Sequence, residues 1–307
     1  GGGMRAVATA ARGTTVPGGG ADPEDLLLDG MAVMLGEDLD AGARRVREAL
    51  TAFRTSELAA RREIDWLPTA CRMAFNVLDF ESWDVLSARL VGRAREQGAI
   101  GVLPIALLLR LLNRLLAGEL DVAAELHAGV RSVSEATDRR IIAMYGDVGL
   151  AAWTGRIEAT EAAIAVATEH LADHGVGQLL TSTQWARAVL CNALGRFDAA
   201  LASAEQAREH PDELGVATLA LVELIEAAAL GGRRDRAAAA VAELVPLTRA
   251  SGTDWALGTE AAARALVEDE APEPLFREAL TRLRRAGVRV GVARTHLHYG
   301  EWLRRES

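Results

Sequence analysis

A short motif returns along this chain: a glycine, then one to three polar or charged residues, then an alanine-rich amphipathic run. It stands as Gly36-Glu37-Asp38-Leu39-Asp40-Ala41, Gly118-Glu119-Leu120-Asp121-Val122-Ala123, Gly155-Arg156-Ile157-Glu158-Ala159, Gly195-Arg196-Phe197-Asp198-Ala199-Ala200 and Gly232-Arg233-Arg234-Asp235-Arg236-Ala237. The last four glycines are 37, 40 and 37 residues apart, and the gap of 82 from Gly36 to Gly118 leaves room for another unit near Leu78-Asp79-Phe80-Glu81. A period near 40 residues holds two helices and two turns, so the chain reads as an array of helical hairpins. In such arrays each unit packs on its neighbours, and they bind far more often than they catalyse.

Hydrophobic periodicity fills in the units. Asp22-Pro23 supplies an N-cap residue and a proline at the first helical position. From there pairs are expected at 22–35 with 38–54, 60–78 with 81–97, 102–117 with 120–137, and 139–153 with 156–174. The series continues as 178–194 with 197–209, 215–230 with 233–250, and 254–267 with 272–286, ending in an unpaired helix at 288–305. Ala186, Val189, Leu190, Ala193 and Leu194 recur at helical spacing in one helix, as do Phe197, Ala200, Leu201, Ala204 and Ala207 in its partner. The recurrent glycine falls where a helix ends and the chain turns, the station that asks for a left-handed backbone. The expectation is therefore one all-α domain at 22–307: a tetratricopeptide-like right-handed superhelix of about seven pairs plus one terminal helix. Residues 1–21, rich in Gly, Ala and Thr, read as a flexible lead-in, with Gly1-Gly2-Gly3-Met4 as an expression remnant. The last helix lacks a second member, so the array reads as cut, with Val292, Thr295, Tyr299 and Trp302 expected as an exposed stripe inviting self-association.

Composition narrows the partners. The net charge is −9, which speaks against direct nucleic-acid or anionic-membrane binding. The longest apolar stretch, Ile100 to Leu109, ends at Arg110 and is too short for a bilayer span, and no secretory signal is visible. A cytoplasmic protein is expected, with Cys71 and Cys191, 120 residues apart, as reduced buried thiols.

Several strings carry a resemblance: Ser251-Gly252-Thr253-Asp254-Trp255-Ala256-Leu257-Gly258, Leu275-Phe276-Arg277-Glu278-Ala279-Leu280, and above all His298-Tyr299-Gly300-Glu301-Trp302-Leu303-Arg304-Arg305. With Leu26-Leu27-Leu28-Asp29-Gly30 and the Gly195 turn, they make residues 22 to 307 resemble the central region of the large ATP-binding regulators of the LuxR family. Such regulators place an ATP-binding module before this region and a helix-turn-helix after it. The resemblance implies a sensor and relay domain that receives a small-molecule inducer or a protein partner and works with those two modules. It does not carry over ATP hydrolysis, because a phosphate-binding loop needs a lysine and all 34 basic residues other than histidine are arginine. DNA binding would belong to helices beyond Ser307. No cofactor is expected.

Candidate binding residues come from aligning the units. Stepping eight residues back from each turn glycine reaches Arg110, Asp147, Arg187 and, from Gly231, Glu223, whereas Gly232 would give Leu224. Stacked first helices would set these charges along one strip with alternating sign, with Asn113, Tyr145 and Trp185 nearby. The same residues could instead form a ladder of ion pairs between repeats. Asp147, among apolar neighbours, needs a partner either way. Trp66, Trp185 and Trp255 are candidates for stacking on a ligand, against the alternative of packing between repeats. His170 and His174 share a helix face but lack further ligands for a metal, and no spacing supports a catalytic set. An effector-sensing domain and a pure interaction or self-association scaffold both remain open, and an enzyme is disfavoured.

Overall fold

In the computed structural model of the protein the described residues are 22–36, 38–56, 58–174, 177–209 and 215–306, without the side chains of 35, 60 and 172–174. The expected lead-in at 1–21 and the His174 side chain lie outside them. These residues form fifteen α-helices and no strand. Helix α1 (Pro23–Gly36) pairs with α2 (Leu39–Thr55), α3 (Ala60–Asn76) with α4 (Phe80–Glu96), α5 (Leu103–Leu116) with α6 (Leu120–Ala136), and α7 (Arg140–Trp153) with α8 (Ile157–His174). Next come α9 (Gly177–Ala193) with α10 (Phe197–Gln206), α11 (Val216–Leu230) with α12 (Arg234–Ser251), α13 (Asp254–Val267) with α14 (Glu273–Ala286), and last α15 (Arg289–Glu306). The ends match the sequence periodicity within two residues, except that α10 stops three residues early, at Gln206.

The turn chemistry follows from backbone sterics. Gly118, Gly155, Gly195 and Gly232 have φ of 73°, 69°, 69° and 74°, a region in which a Cβ is costly and glycine is not. In the second hairpin Leu78 takes the same station with φ 51°. Its strain, roughly 1–2 kcal/mol, is offset because the side chain is buried among α3, α4 and their neighbours. Side-chain caps start several helices: Asp38 accepts from the Ala41 amide at 2.8 Å, and Asp79 and Thr253 from the Ser82 and Ala256 amides at 3.1 Å.

First helices α3, α5, α7, α9, α11 and α13 contact one another in succession, and each second helix packs against its own partner. Burial follows this order: α9 and α11 are covered along most of their length, while α6 and α8 keep a broad solvent face. The array does not stay open. Helix α2 touches α12, and α5 touches α15, so the early and late parts of the solenoid meet. At that junction Ser251 Oγ donates to the carbonyl of Val77, and Thr253 Oγ1 donates to that of Leu78 at 2.6 Å. The Trp83 and Trp255 rings stack there with centroids 6.1 Å apart and planes 7° apart, and Phe80 meets Trp255 edge-on at 5.7 Å. The largest apolar cluster consequently contains residues from Leu27 of α1 to Val288 before α15.

The terminal helix differs from expectation. Thr295 is buried, Val292 is partly buried, Tyr299 stacks on Trp302 and on Phe276 of α14, and Trp302 meets Phe276 at a tilt. The stripe faces inward onto its own chain because hairpin packing continues into α15.

Trp255→Ala should cost about 3–5 kcal/mol, as expected for removing a buried large aromatic. Chemical denaturation measures the loss, and small-angle scattering should show a larger radius of gyration as the two ends part. Loss of stability without expansion would mean that the junction does not hold the superhelix shut.

Candidate functional site

The aligned charges go to partners on other helices rather than to each other. Arg110 donates from α5 to the carbonyl and carboxylate of Asp84 on α4 at 2.8 and 2.6 Å. Burial pulls its guanidinium below the ordinary arginine range, against the pull of Glu119 and Cys71. Arg187 on α9 reaches Glu161 on α8 at 2.9 Å. These two pairs are equivalent: each joins a first helix to the second helix of the preceding hairpin, 26 residues back. Asp147 on α7 finds His127 Nε2 at 2.7 Å and Arg131 at 3.4 Å, both on α6.

Glu223 breaks the pattern because the left-handed residue of its hairpin is Gly232, not Gly231. It is therefore out of register with the other three, and it turns toward α9 and α15. Arg294 of α15 grips both Glu223 carboxylate oxygens, at 2.6 and 2.7 Å, and Glu226 at 2.5 Å. Asn192 donates to Glu223 Oε2 at 2.9 Å, His298 lies 3.6 Å from Glu226, and the Arg294 guanidinium sits 5.9 Å from the Trp153 ring centroid. Burial pushes the Glu226 carboxyl up, but Arg294 and His298 outweigh it and hold it down at about 2. Burial likewise works against the charge on Arg294, and the two glutamates more than restore it.

The other candidates separate. Tyr145 and Trp185 line a cavity of about 40 Å³ together with Phe75, Trp83 and Trp153. Trp153 and Trp185 meet there at 6.2 Å, and the buried indole nitrogens of Trp83 and Trp185 have no hydrogen-bond partner among the described residues. Asn113 is buried and its oxygen accepts from Arg114 Nε at 3.0 Å. Asp147 lines an outer hollow of about 400 Å³ between α6, α7 and α8. Cys71 and Cys191 are buried free thiols, and burial raises both above the usual thiol range. Among the described residues no three metal-binding side chains come together, and no helix is long and apolar enough to cross a membrane.

A larger ligand-sized space lies at the superhelical junction. A cavity of about 730 Å³ opens between α2, α4 and the α5–α6 turn on one wall and the α12–α13 and α14–α15 turns on the other. Ligand pockets commonly measure 300–1,000 Å³. Its acidic groups are held: Glu81 by Arg54 at 2.8 Å, Glu119 by Arg114 at 2.9 Å, Asp84 by Arg110 and Arg114, and Asp254 by Arg282 and Arg285 at 3.1 and 3.3 Å. Asp79 caps α4 through the Ser82 amide and hydroxyl. Among the described residues two of the lining cations have no carboxylate partner. Arg47 on α2 donates to the Ser251 carbonyl at 2.8 Å, and Arg289 at the start of α15 has no side-chain partner among the described residues. Periodicity along the chain does not reveal this site, since its walls are brought together only by closure. The one signal in the sequence was the Ser251-Gly252-Thr253-Asp254-Trp255 string, singled out for its resemblance. No family model matches the chain, and no curated protein matches it.

Two measurements separate the kinds of ion pair. Arg187→Ala should change stability by no more than about 1 kcal/mol, because both partners reach solvent. Arg294→Ala should cost about 3–5 kcal/mol by stranding two buried carboxylates, and adding Glu226→Gln should recover part of that. The depressed Glu226 pKa also sets a pH window. Its contribution is present above the ordinary value of 4.5 and disappears as the pH falls toward 2. Denaturation between pH 5 and 2 should therefore show a shallower acid loss in Glu226→Gln than in wild type.

Proposed function

We propose that this chain is an effector-sensing and relay domain, a tetratricopeptide-like superhelix of the kind found at the centre of large LuxR-family regulators. The observation that carries the reading is the junction cavity. Its walls come from residues about 200 positions apart, Arg47 and Gly252 among them. A ligand seated there touches both ends of the solenoid, so binding favours the closed arrangement over any opened one. That gives a small-molecule inducer a physical route to flanking ATP-binding and helix-turn-helix modules. Binding and relay, rather than catalysis, is the role assigned to the domain.

A second reading, docking of a protein partner or another copy, is favoured by the outer side of α15. Leu297 there is 64% exposed, and Ala293 and Gly300 are exposed beside it. Such a face suits a further helix.

A thermal-shift screen against metabolites tests the first reading, because a ligand that binds only the folded state raises the melting temperature. At least one compound should raise it by several degrees in wild type and not in Thr51→Trp, which fills the cavity from an exposed position on its wall. If no compound shows that dependence, the cavity is not a sensor site.

A further inference from the structure

We infer that the junction cavity takes a small organic molecule bearing two anionic groups, one held by Arg47 and the other by Arg289. The inference rests on the sensor reading above and adds the chemical class of its ligand.

Charge accounting on the walls is the basis. Four carboxylates facing the space are held by arginines, and the fifth, Asp79, caps a helix. Arg47 and Arg289 are left with charge that no carboxylate on the walls answers. Arg47 is half-buried on one wall and Arg289 is exposed on the other, so together they present positive charge to whatever enters the hollow between them, which favours anions. Guanidinium groups also match carboxylate and phosphate geometry through paired N–H donors.

Backbone contacts fix the Arg47 guanidinium and the stem of Arg289. Arg47 is anchored by its 2.8 Å bond to the Ser251 carbonyl, which uses Nη1 and leaves the other guanidinium donors free. Arg289 has its Cβ against the α5–α6 turn, where a Cβ built on Gly118 would lie 3.2 Å from it. A side chain at position 118 would press on this arginine. The two cations belong to the second and the last helix of the described chain, so a molecule that bridges them fastens one end to the other. A neutral ligand filling the same volume would leave both charges unanswered.

Isothermal titration and thermal shift with pyrophosphate and with citrate test this, at constant ionic strength and with trehalose as the neutral comparison. Wild type should bind at least one of the two anions, and the stronger of them marks phosphorylated or polycarboxylic ligands as the natural source. Arg47→Gln and Arg289→Gln should each weaken that binding about tenfold or more, the equivalent of losing one charge-assisted contact of about 1.4 kcal/mol. Arg289→Gln should keep the wild-type melting temperature without ligand, whereas Arg47→Gln should lower it somewhat through loss of the Ser251 contact, so its binding is compared at a temperature where both proteins are folded. Thr51→Trp should abolish binding. Absence of binding by either anion, or binding equal in wild type and both arginine variants, would overturn the assignment. A neutral compound from the wider screen whose shift is lost in Thr51→Trp would also overturn it while leaving the sensor reading standing. If no compound of any charge shows that loss, both fall.

Discussion

The contact on which the structure depends is the clasp where the solenoid meets itself. Trp255, at the start of α13, stacks on Trp83 of α4, while the hydroxyls of Ser251 and Thr253 donate to the carbonyls of Val77 and Leu78. Those carbonyls belong to a tight turn and have spare acceptor capacity after the helix ends. Leu78 is the non-glycine residue at the station where other hairpins place glycine. Its side chain gives the turn an apolar plug that a glycine could not provide, and its strained backbone persists because packing over-determines it. An array stabilised only between neighbours would behave as a chain of local units. Closing it adds contacts of very long sequence separation, so the first three hairpins and the helices from α12 to α15 stabilise each other.

Ion pairs do two different jobs around this frame. The Arg110–Asp84 and Arg187–Glu161 pairs lie at equivalent places two hairpins apart and contribute little individually where solvent reaches them. The Arg294 cluster is of another kind, since its two glutamates are buried and its arginine is largely covered. Desolvating three charges is costly, and the bidentate geometry with the Asn192 contact is what offsets it. An apolar contact in that place could slide. This cluster instead fixes the rotation and register of α15 against α11.

How much of this could be read along the chain follows from the range of each interaction. Helix ends were legible because proline, capping residues, glycine turns and 3.6-residue periodicity all act within a few residues. The left-handed glycines at 118, 155, 195 and 232 are an example. Pairing between adjacent hairpins was half legible. Counting back from the turn found Arg110, Asp147 and Arg187, but it could not distinguish a shared groove from partners on the preceding hairpin. Glu223 depended on which of two glycines turns left-handed, and Gly232 does. Closure was not legible. Nothing local in Ser251 or Val77 states that they meet 174 residues apart, and so Arg47 and Arg289 escaped notice as members of one site.

Closure also determines what a ligand can accomplish. A compound that binds two states equally shifts nothing, however tightly it binds. In a groove lined by adjacent repeats the site would survive opening of the superhelix, and much of the binding free energy would be common to both states. The junction cavity is different because one wall carries Arg47 and the other Arg289. Separating the walls removes half the contacts, so most of the affinity is differential affinity. At a ligand concentration 100 times its Kd, the closed state would gain up to about 2.7 kcal/mol relative to an open state without the site. That is enough to move a nearly balanced equilibrium almost completely. The size of the response is therefore set by how close to balance the clasp of Trp83, Trp255 and Leu78 leaves the empty domain. A tight clasp would make a rigid scaffold, and a marginal one a sensor.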